Sequence, residues 1–257
     1  MKPFAYRRVC LLLLALCMTL LLAGCATTTI NLPPEEPAMR QLSDIDDEYV
    51  ARVDDPWEGF NRSMYKFNYN FDKYVFLPVV NSYEFIAPTF VQTGVSNFFN
   101  NIGEIRTLYN SLFQLKGQKA LTTVGRFLTN STIGIAGLFD PATGFGLMRQ
   151  DEDFGQTLGY YGVGTGPYLV MPILGPGTVR STSGFAVDSG VHFAITSALD
   201  LPQYVENGDS IQTGITVLKT IDNRHQQPFR YYESDYPFEY YMVRFLYRQK
   251  REMAVMK

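Results

Sequence analysis

Leu22-Ala23-Gly24-Cys25 is the stretch of this 257-residue chain whose residue types and spacing prescribe a covalent modification. Lys2, Arg7 and Arg8 precede an apolar run from Val9 to Leu22. That order is a charged region followed by a hydrophobic one too short to remain as a spanning helix. Small residues and then a cysteine, directly behind such a run, fit signal-peptide cleavage and thiol acylation. The mature chain is expected to begin at a triacylated Cys25; a secreted soluble protein with a chance cysteine is the alternative. Two or more acyl chains anchor stably, at ~0.8 kcal/mol per buried methylene. Ala26, in place of the Asp that retains lipoproteins at the inner membrane, predicts the outer membrane.

Other chemistry is scarce. His192 and His225 stand in unrelated contexts without metal-ligand spacing, and there is no His-Glu-x-x-His helix, Gly-x-Ser-x-Gly elbow or P-loop. Gly162-x-Gly164-x-Gly166 runs into Pro167, which a dinucleotide fingerprint does not. Asp151-Glu152-Asp153 offers paired carboxylates or a cation site, but reads more simply as the acidic first turn of a short helix through Phe154, Leu158 and Tyr160. Cys10 and Cys17 leave with the signal segment, so the mature chain has neither a disulfide nor a free thiol nucleophile. The expectation is no catalytic residue, no metal and no cofactor. Removing Lys2, Arg7 and Arg8 from the formal charge of −3 leaves −6, and no basic stripe points to nucleic acid. Aromatic residues reach 14%, which suits either a large core or a lipid–water boundary.

The elements that carry these groups read as helices. Residues 1–24 are the signal peptide. Residues 25–54 form a lipidated tether with Pro33-Pro34 and the acidic cluster Asp44, Asp46, Asp47 and Glu48, and with a weak helix around Ile45 to Val53. Folding begins at Asp55, an N-cap followed by Pro56 and Glu58. Phe60, Met64, Phe67, Phe71 and Tyr74 then form one apolar stripe, opposite Asn61, Arg62, Asn68, Asn70 and Asp72, and Pro78 should end the helix. That stripe faces either a core, the default, or lipid. A second helix starts at Pro88 and stops near Gly103; a third runs from Glu104 to Gly117; a fourth runs from Gln118 towards Ile133. Ser210 caps a later helix that stops near Pro228. A last helix starts near Pro237, and 251–257 is a short basic tail. No helix is long and apolar enough to span. Between Gly134 and Gly190, glycine and proline crowd the chain around the apolar run Tyr168 to Leu174. Such backbone must be buried in protein or line a wet cavity, as an irregular loop or bent hairpin.

Three blocks carry a family resemblance: Asp55-Pro56-Trp57-Glu58-Gly59-Phe60-Asn61-Arg62 with Met64 to Asn68; Arg126 to Gly134; and Asp153 to Pro172, with Gly175 to Arg180. They resemble the VacJ/MlaA family of outer-membrane lipoproteins over roughly Asp55 to Arg248, with a longer acidic tether than the family pattern. The resemblance implies a mainly α fold over 55–250: a ring-like bundle of amphipathic helices lying in the periplasmic leaflet around a central channel, with a Gly/Pro-rich irregular segment. It implies passage of mislocalised phospholipid from the outer leaflet to a periplasmic lipid carrier, with a trimeric porin as partner and no chemical step. Candidate channel residues are Gly162, Gly164, Gly166, Pro167, Tyr168, Arg180 and Asp188, the two charges lying near headgroups or forming a local ion pair. Phe60, Met64, Phe67 and Phe71 are the candidate membrane-facing stripe. A structural envelope scaffold and a lipid-modifying enzyme are the competing readings.

Overall fold

A computed structural model describes residues 55–199, 208–233 and 236–257. The signal segment, Cys25, the tether and its weak helix lie outside the described residues. In chain order the elements are α1 (Glu58–Phe71), a π-helical turn (Asp72–Phe76), α2 (Leu77–Ile86), α3 (Thr89–Phe113), α4 (Gly117–Thr132), the one-turn α5 (Pro141–Gly144) and α6 (Phe154–Tyr160). They continue with β1 (Tyr168–Met171), β2 (Gly175–Thr178), α7 (Val179–Leu199), α8 (Gly208–His225) and α9 (Glu239–Met256). The mainly helical expectation holds.

Several boundaries differ from the sequence reading, each for a local reason. Asp55 does not cap α1 from the N-cap position, which Trp57 occupies. The Asp55 carboxylate turns inward instead, accepting from the Trp57 backbone N–H at 3.3 Å and from the Asn61 side chain at 2.8 Å. Pro78 does not end the helix. The Leu77 N–H bonds the Asp72 carbonyl, five residues back, and this widened turn sets Pro78 in the first turn of α2. There its missing N–H costs nothing. Gly103 does not separate two helices either: α3 is one helix of 25 residues. The roughly 1 kcal/mol that glycine costs within a helix is outweighed by the packing of α3 along α4. α3 stops where Leu115 turns left-handed, at φ +56, and Lys116 N–H bonds the Ser111 carbonyl.

Of the two readings for the glycine-rich stretch, loop or hairpin, the structure has the hairpin. β1 and β2 form an antiparallel hairpin, with Tyr168 opposite Thr178 and Met171 opposite Gly175. Four-residue strands are too short to show alternation in sequence. α7 then runs without interruption through Gly184 and Gly190. Gly184 lies against α6, where a Cβ would stand 2.2 Å from the Gly155 backbone nitrogen; its glycine serves close helix approach, not a bend. Residues 251–257 are no separate tail, because α9 continues to Met256 and Arg251 chelates Asp153 at 2.6 and 2.8 Å.

Burial is inverted relative to a water-soluble protein. On α4 the inward face is Ala120, Thr123, Arg126 and Asn130, while Leu121, Val124 and Leu128 are exposed. On α3 Phe99 is buried together with Asn101, Glu104, Thr107, Asn110 and Ser111, while Phe90, Val91, Ile105, Leu112 and Phe113 are exposed. Phe85, at the α2 end, is 91% exposed. Contiguous apolar surface of this kind is expelled by water. Among the described residues an apolar core cluster remains: Tyr65, Tyr168, Val170, Tyr240 and Tyr241, where α1, the hairpin and α9 meet.

Buried charge ties α3 to α4. Arg126 donates from Nε to Glu104 at 2.7 Å, from Nη2 to Asp140 at 3.0 Å, and from Nη1 to the Leu147 carbonyl at 2.5 Å. Asp140 also caps α5 through the Thr143 N–H. Burial opposes the Asp140 carboxylate, but hydrogen bonds from Thr143, Arg126 and Asn130 outweigh that and hold it at about 2, against an ordinary 3.8. A carboxyl lowered on folding adds stability above its unfolded value and loses it as pH falls through the folded one. Discounted for solvent screening, the contribution is about 1 kcal/mol; it is present above about pH 4 and lost towards pH 2. Unfolding midpoints of wild type and Asp140→Asn should differ at neutral pH and converge across that window; a gap that stays constant with pH would contradict the assignment.

Candidate functional site: a polar interior behind the glycine loop

Polar side chains from α3, α6 and α7 meet in one connected network. Asp188 on α7 accepts from Tyr109 Oη at 2.6 Å, Asn110 Nδ2 at 3.1 Å and the Phe154 N–H at 3.0 Å. Asn110 Oδ1 accepts from Thr157 Oγ1 at 2.8 Å. Gln114 Nε2 donates to Thr157 at 3.1 Å and to Glu152 Oε2 at 3.0 Å. Glu152 then pairs with Lys119, with Lys116 further off at 3.7 Å. Burial, with the Asp188 carboxylate as its acceptor, pushes the Tyr109 hydroxyl up and keeps it a donor.

The glycine loop follows α6, which contributes Thr157 to this network. Gly162 and Gly166 adopt positive φ, at +85 and +67, which glycine accommodates at little cost. Gly162 and Gly164 are exposed, and a Cβ on either would meet nothing within 4 Å. Pro167 accepts the Val179 N–H at 3.1 Å. Arg180 reaches back to the loop, donating from Nη1 to the Val163 carbonyl at 2.8 Å. Burial first, then the neighbouring Arg251, lowers the Arg180 guanidinium.

The candidate channel residues thus separate. Gly162, Gly164, Gly166, Pro167 and Arg180 belong to the loop and its support. Asp188 sits at the network's α7 end and does not pair with Arg180, so the alternative of a local ion pair between them does not hold. Tyr168 departs furthest: its side chain is fully buried in the aromatic core, edge-on to Tyr240 at 6.0 Å, because the first β1 position points at α9. Of the α1 stripe, Phe60 and Phe67 are exposed and Phe71 stacks on Phe67 at 5.9 Å, whereas Met64 packs against the core. The acidic triplet disperses: Asp151 pairs with Arg106, Glu152 with the lysines, and Asp153 caps α6 and holds Arg251. No two of the three carboxylates share a partner. His225 contacts Glu84 at 2.6 Å, and burial with nearby Lys219 lowers His192. Among the described residues no group of three His, Cys, Asp or Glu side chains is placed to hold a metal ion, and no helix is long and apolar enough to cross a membrane.

Sequence reasoning left Asn61 and Asn68 on a generic polar face. They are docking groups. Asn61 accepts from the Val170 N–H at 2.8 Å and donates to the Tyr168 carbonyl at 3.0 Å. Asn68 accepts from the Ile173 N–H at 2.7 Å and donates to the Met171 carbonyl at 2.9 Å. Two amides seven residues apart on one helix face act as a third strand along the free edge of β1. Their spacing, two helical turns, is the signal that was available.

The family model described as MlaA lipoprotein matches residues 53–254. The chain belongs to the MlaA lipoprotein family. A Rickettsia prowazekii protein without an assigned function is 34% identical over 208 residues, covering 79% of this chain and 78% of its own length. Other relatives carry the name intermembrane phospholipid transport system lipoprotein MlaA. The Haemophilus influenzae protein is 36% identical, covering 56% of this chain and 59% of its own. That of Escherichia coli is 36% identical, covering 59% and 61%. A solved structure reported as the structural basis for maintenance of bacterial outer membrane lipid asymmetry matches with TM-score 0.61 at 32% identity. It covers 79% of this chain and 100% of that one. This MlaA-family chain is thus similar in sequence to relatives named as phospholipid-transport lipoproteins and in fold to that solved structure.

Proposed function

We propose that this protein is an outer-membrane lipoprotein, anchored through acylated Cys25, that lets mislocalised phospholipid leave the outer leaflet and passes it to a periplasmic carrier. Its helices form a ring embedded in the periplasmic leaflet around an amphipathic channel, beside a trimeric porin. Signal peptide (1–24), tether (25–54) and helical domain (from 55) are its functional divisions. The observation that carries the reading is the inversion of burial: α3 and α4 turn Glu104, Asn110 and Arg126 inward and Leu121, Leu128 and Phe90 outward. A single leaflet satisfies that exterior without any spanning helix, and a polar interior tolerates headgroups. The exposed α1 stripe of Phe60 and Phe67 joins the lipid-facing surface. No chemical step is required, in keeping with relatives named as transport components.

The test is outer-leaflet phospholipid in cells lacking the protein, read by an outer-membrane acyltransferase reporter. It should rise on deletion and return with wild type, but not with Cys25→Ser or Gly164→Trp. Gly164 faces open space, so the tryptophan should obstruct passage while the thermal unfolding midpoint stays unchanged. No rise on deletion, with expression intact, would replace transport by an envelope-scaffold role. Restored asymmetry in Gly164→Trp would remove the loop from the channel wall.

A further inference from the structure

We propose that the elbow between α3 and α4 holds a phosphate-binding site for a phospholipid headgroup, formed by Lys116 and Lys119 beneath an apolar rim. This rests on the transport reading and gives it a specific point of lipid contact.

Two ammonium groups here share one carboxylate. Glu152 is 1% exposed and already committed, through Oε1 to Lys119 and through Oε2 to Gln114. Lys116 Nζ stands 3.7 Å from Oε1, beyond hydrogen-bond distance, and none of its N–H groups finds a protein acceptor although the nitrogen is buried. A buried cation with unmet donors is costly, and a ligand able to accept several hydrogen bonds and neutralise one charge removes that cost. A phosphate does both. Desolvation pushes Lys116 down from its ordinary value by more than the nearby Glu152 carboxylate raises it. The Tyr160 ring lies 5.7 Å from Nζ and helps hold the ammonium in place. No side chain caps the first turn of α4, so the positive end of its dipole also faces the elbow.

The rim selects a lipid. Leu112, Phe113, Leu115, Tyr160, Tyr161 and Val163 are all exposed, Leu115 at 79%. Tyr161 donates to the Phe113 carbonyl at 2.5 Å, fastening the glycine loop to the elbow. Phosphate against the lysines and acyl chains along these side chains is the arrangement a phospholipid fits and a free anion does not.

The test uses the full-length protein in detergent and native mass spectrometry of retained phosphatidylglycerol, diacylglycerol and inorganic phosphate. Lys116→Gln should lower phosphatidylglycerol retention about tenfold, and Lys116→Arg should restore most of it. Glu152→Gln should raise retention, because both lysines then face the ligand; a purely structural ion pair predicts no gain. Thermal unfolding of each variant separates lost binding from lost fold. Equal retention by wild type and folded Lys116→Gln, or diacylglycerol held as well as phosphatidylglycerol, overturns the site. Lysine-dependent retention of inorganic phosphate as tight as that of the lipid overturns the headgroup assignment. Wild type that retains no phospholipid at all counts against the transport reading itself, a separate outcome.

Discussion

Arg126→Ala should lower the stability of the folded protein by about 3–5 kcal/mol, the range for removing one partner of a buried ion pair. Glu104 is 2% exposed, and its carboxylate would lose its guanidinium partner at 2.7 Å. Burial already raises Glu104 despite Arg126 beside it, so without the arginine it would take up a proton or draw in water. The same change strips the α5 turn of its link to Asp140, Thr143 and Leu147. Lysine cannot substitute, because one ammonium does not present this fork of donors. The double replacement Arg126→Leu with Glu104→Leu should recover part of the loss, since no buried charge is then left alone. The check is a denaturation midpoint in detergent for both variants. An alanine variant as stable as wild type would show that water reaches the pair.

Gly184→Ala should be nearly as damaging, through packing alone. Its Cβ would lie 2.2 Å from the Gly155 nitrogen and 2.6 Å from its Cα. Both are backbone atoms, so no side chain can swing away and α6 must separate from α7. Overpacking costs typically 1–3 kcal/mol and occasionally more; this backbone clash falls at the upper end, at roughly 3 kcal/mol. Separation would also disturb the Asp188 contact to the Phe154 N–H. Transport should therefore fall with stability, unlike Gly164→Trp, where fold and transport separate. Gly190→Ala, with open space around its Cβ, is the matched control. Equal unfolding midpoints for the Gly184 and Gly190 variants would refute the close approach.

These two residues mark where reading a sequence stops. Arg126 lies in a block that suggested a family, on a helix with an apolar face, but nothing local indicated that its own face is the inner one. Glycines behaved alike in sequence and differently in space. Gly103 lies in mid-helix with nothing near it, Gly184 touches backbone, and Gly162 supplies a positive φ. A glycine's sequence context reports the absence of a side chain, not which of three reasons requires it.

The sequence by itself determined the family, the helical class, the Pro88 start and the α4 span, because these depend on short-range spacing. It determined that the helices are two-faced. Tertiary structure decided which face looks inward. Periodicity reports that apolar groups avoid water, and protein core and lipid satisfy that equally. The polar faces break the tie, through partners far apart in the chain: Asn61 with β1, Asp188 with Asn110, Arg224 with Asp72. Once those groups pair with one another inside, the apolar faces have only the outside left.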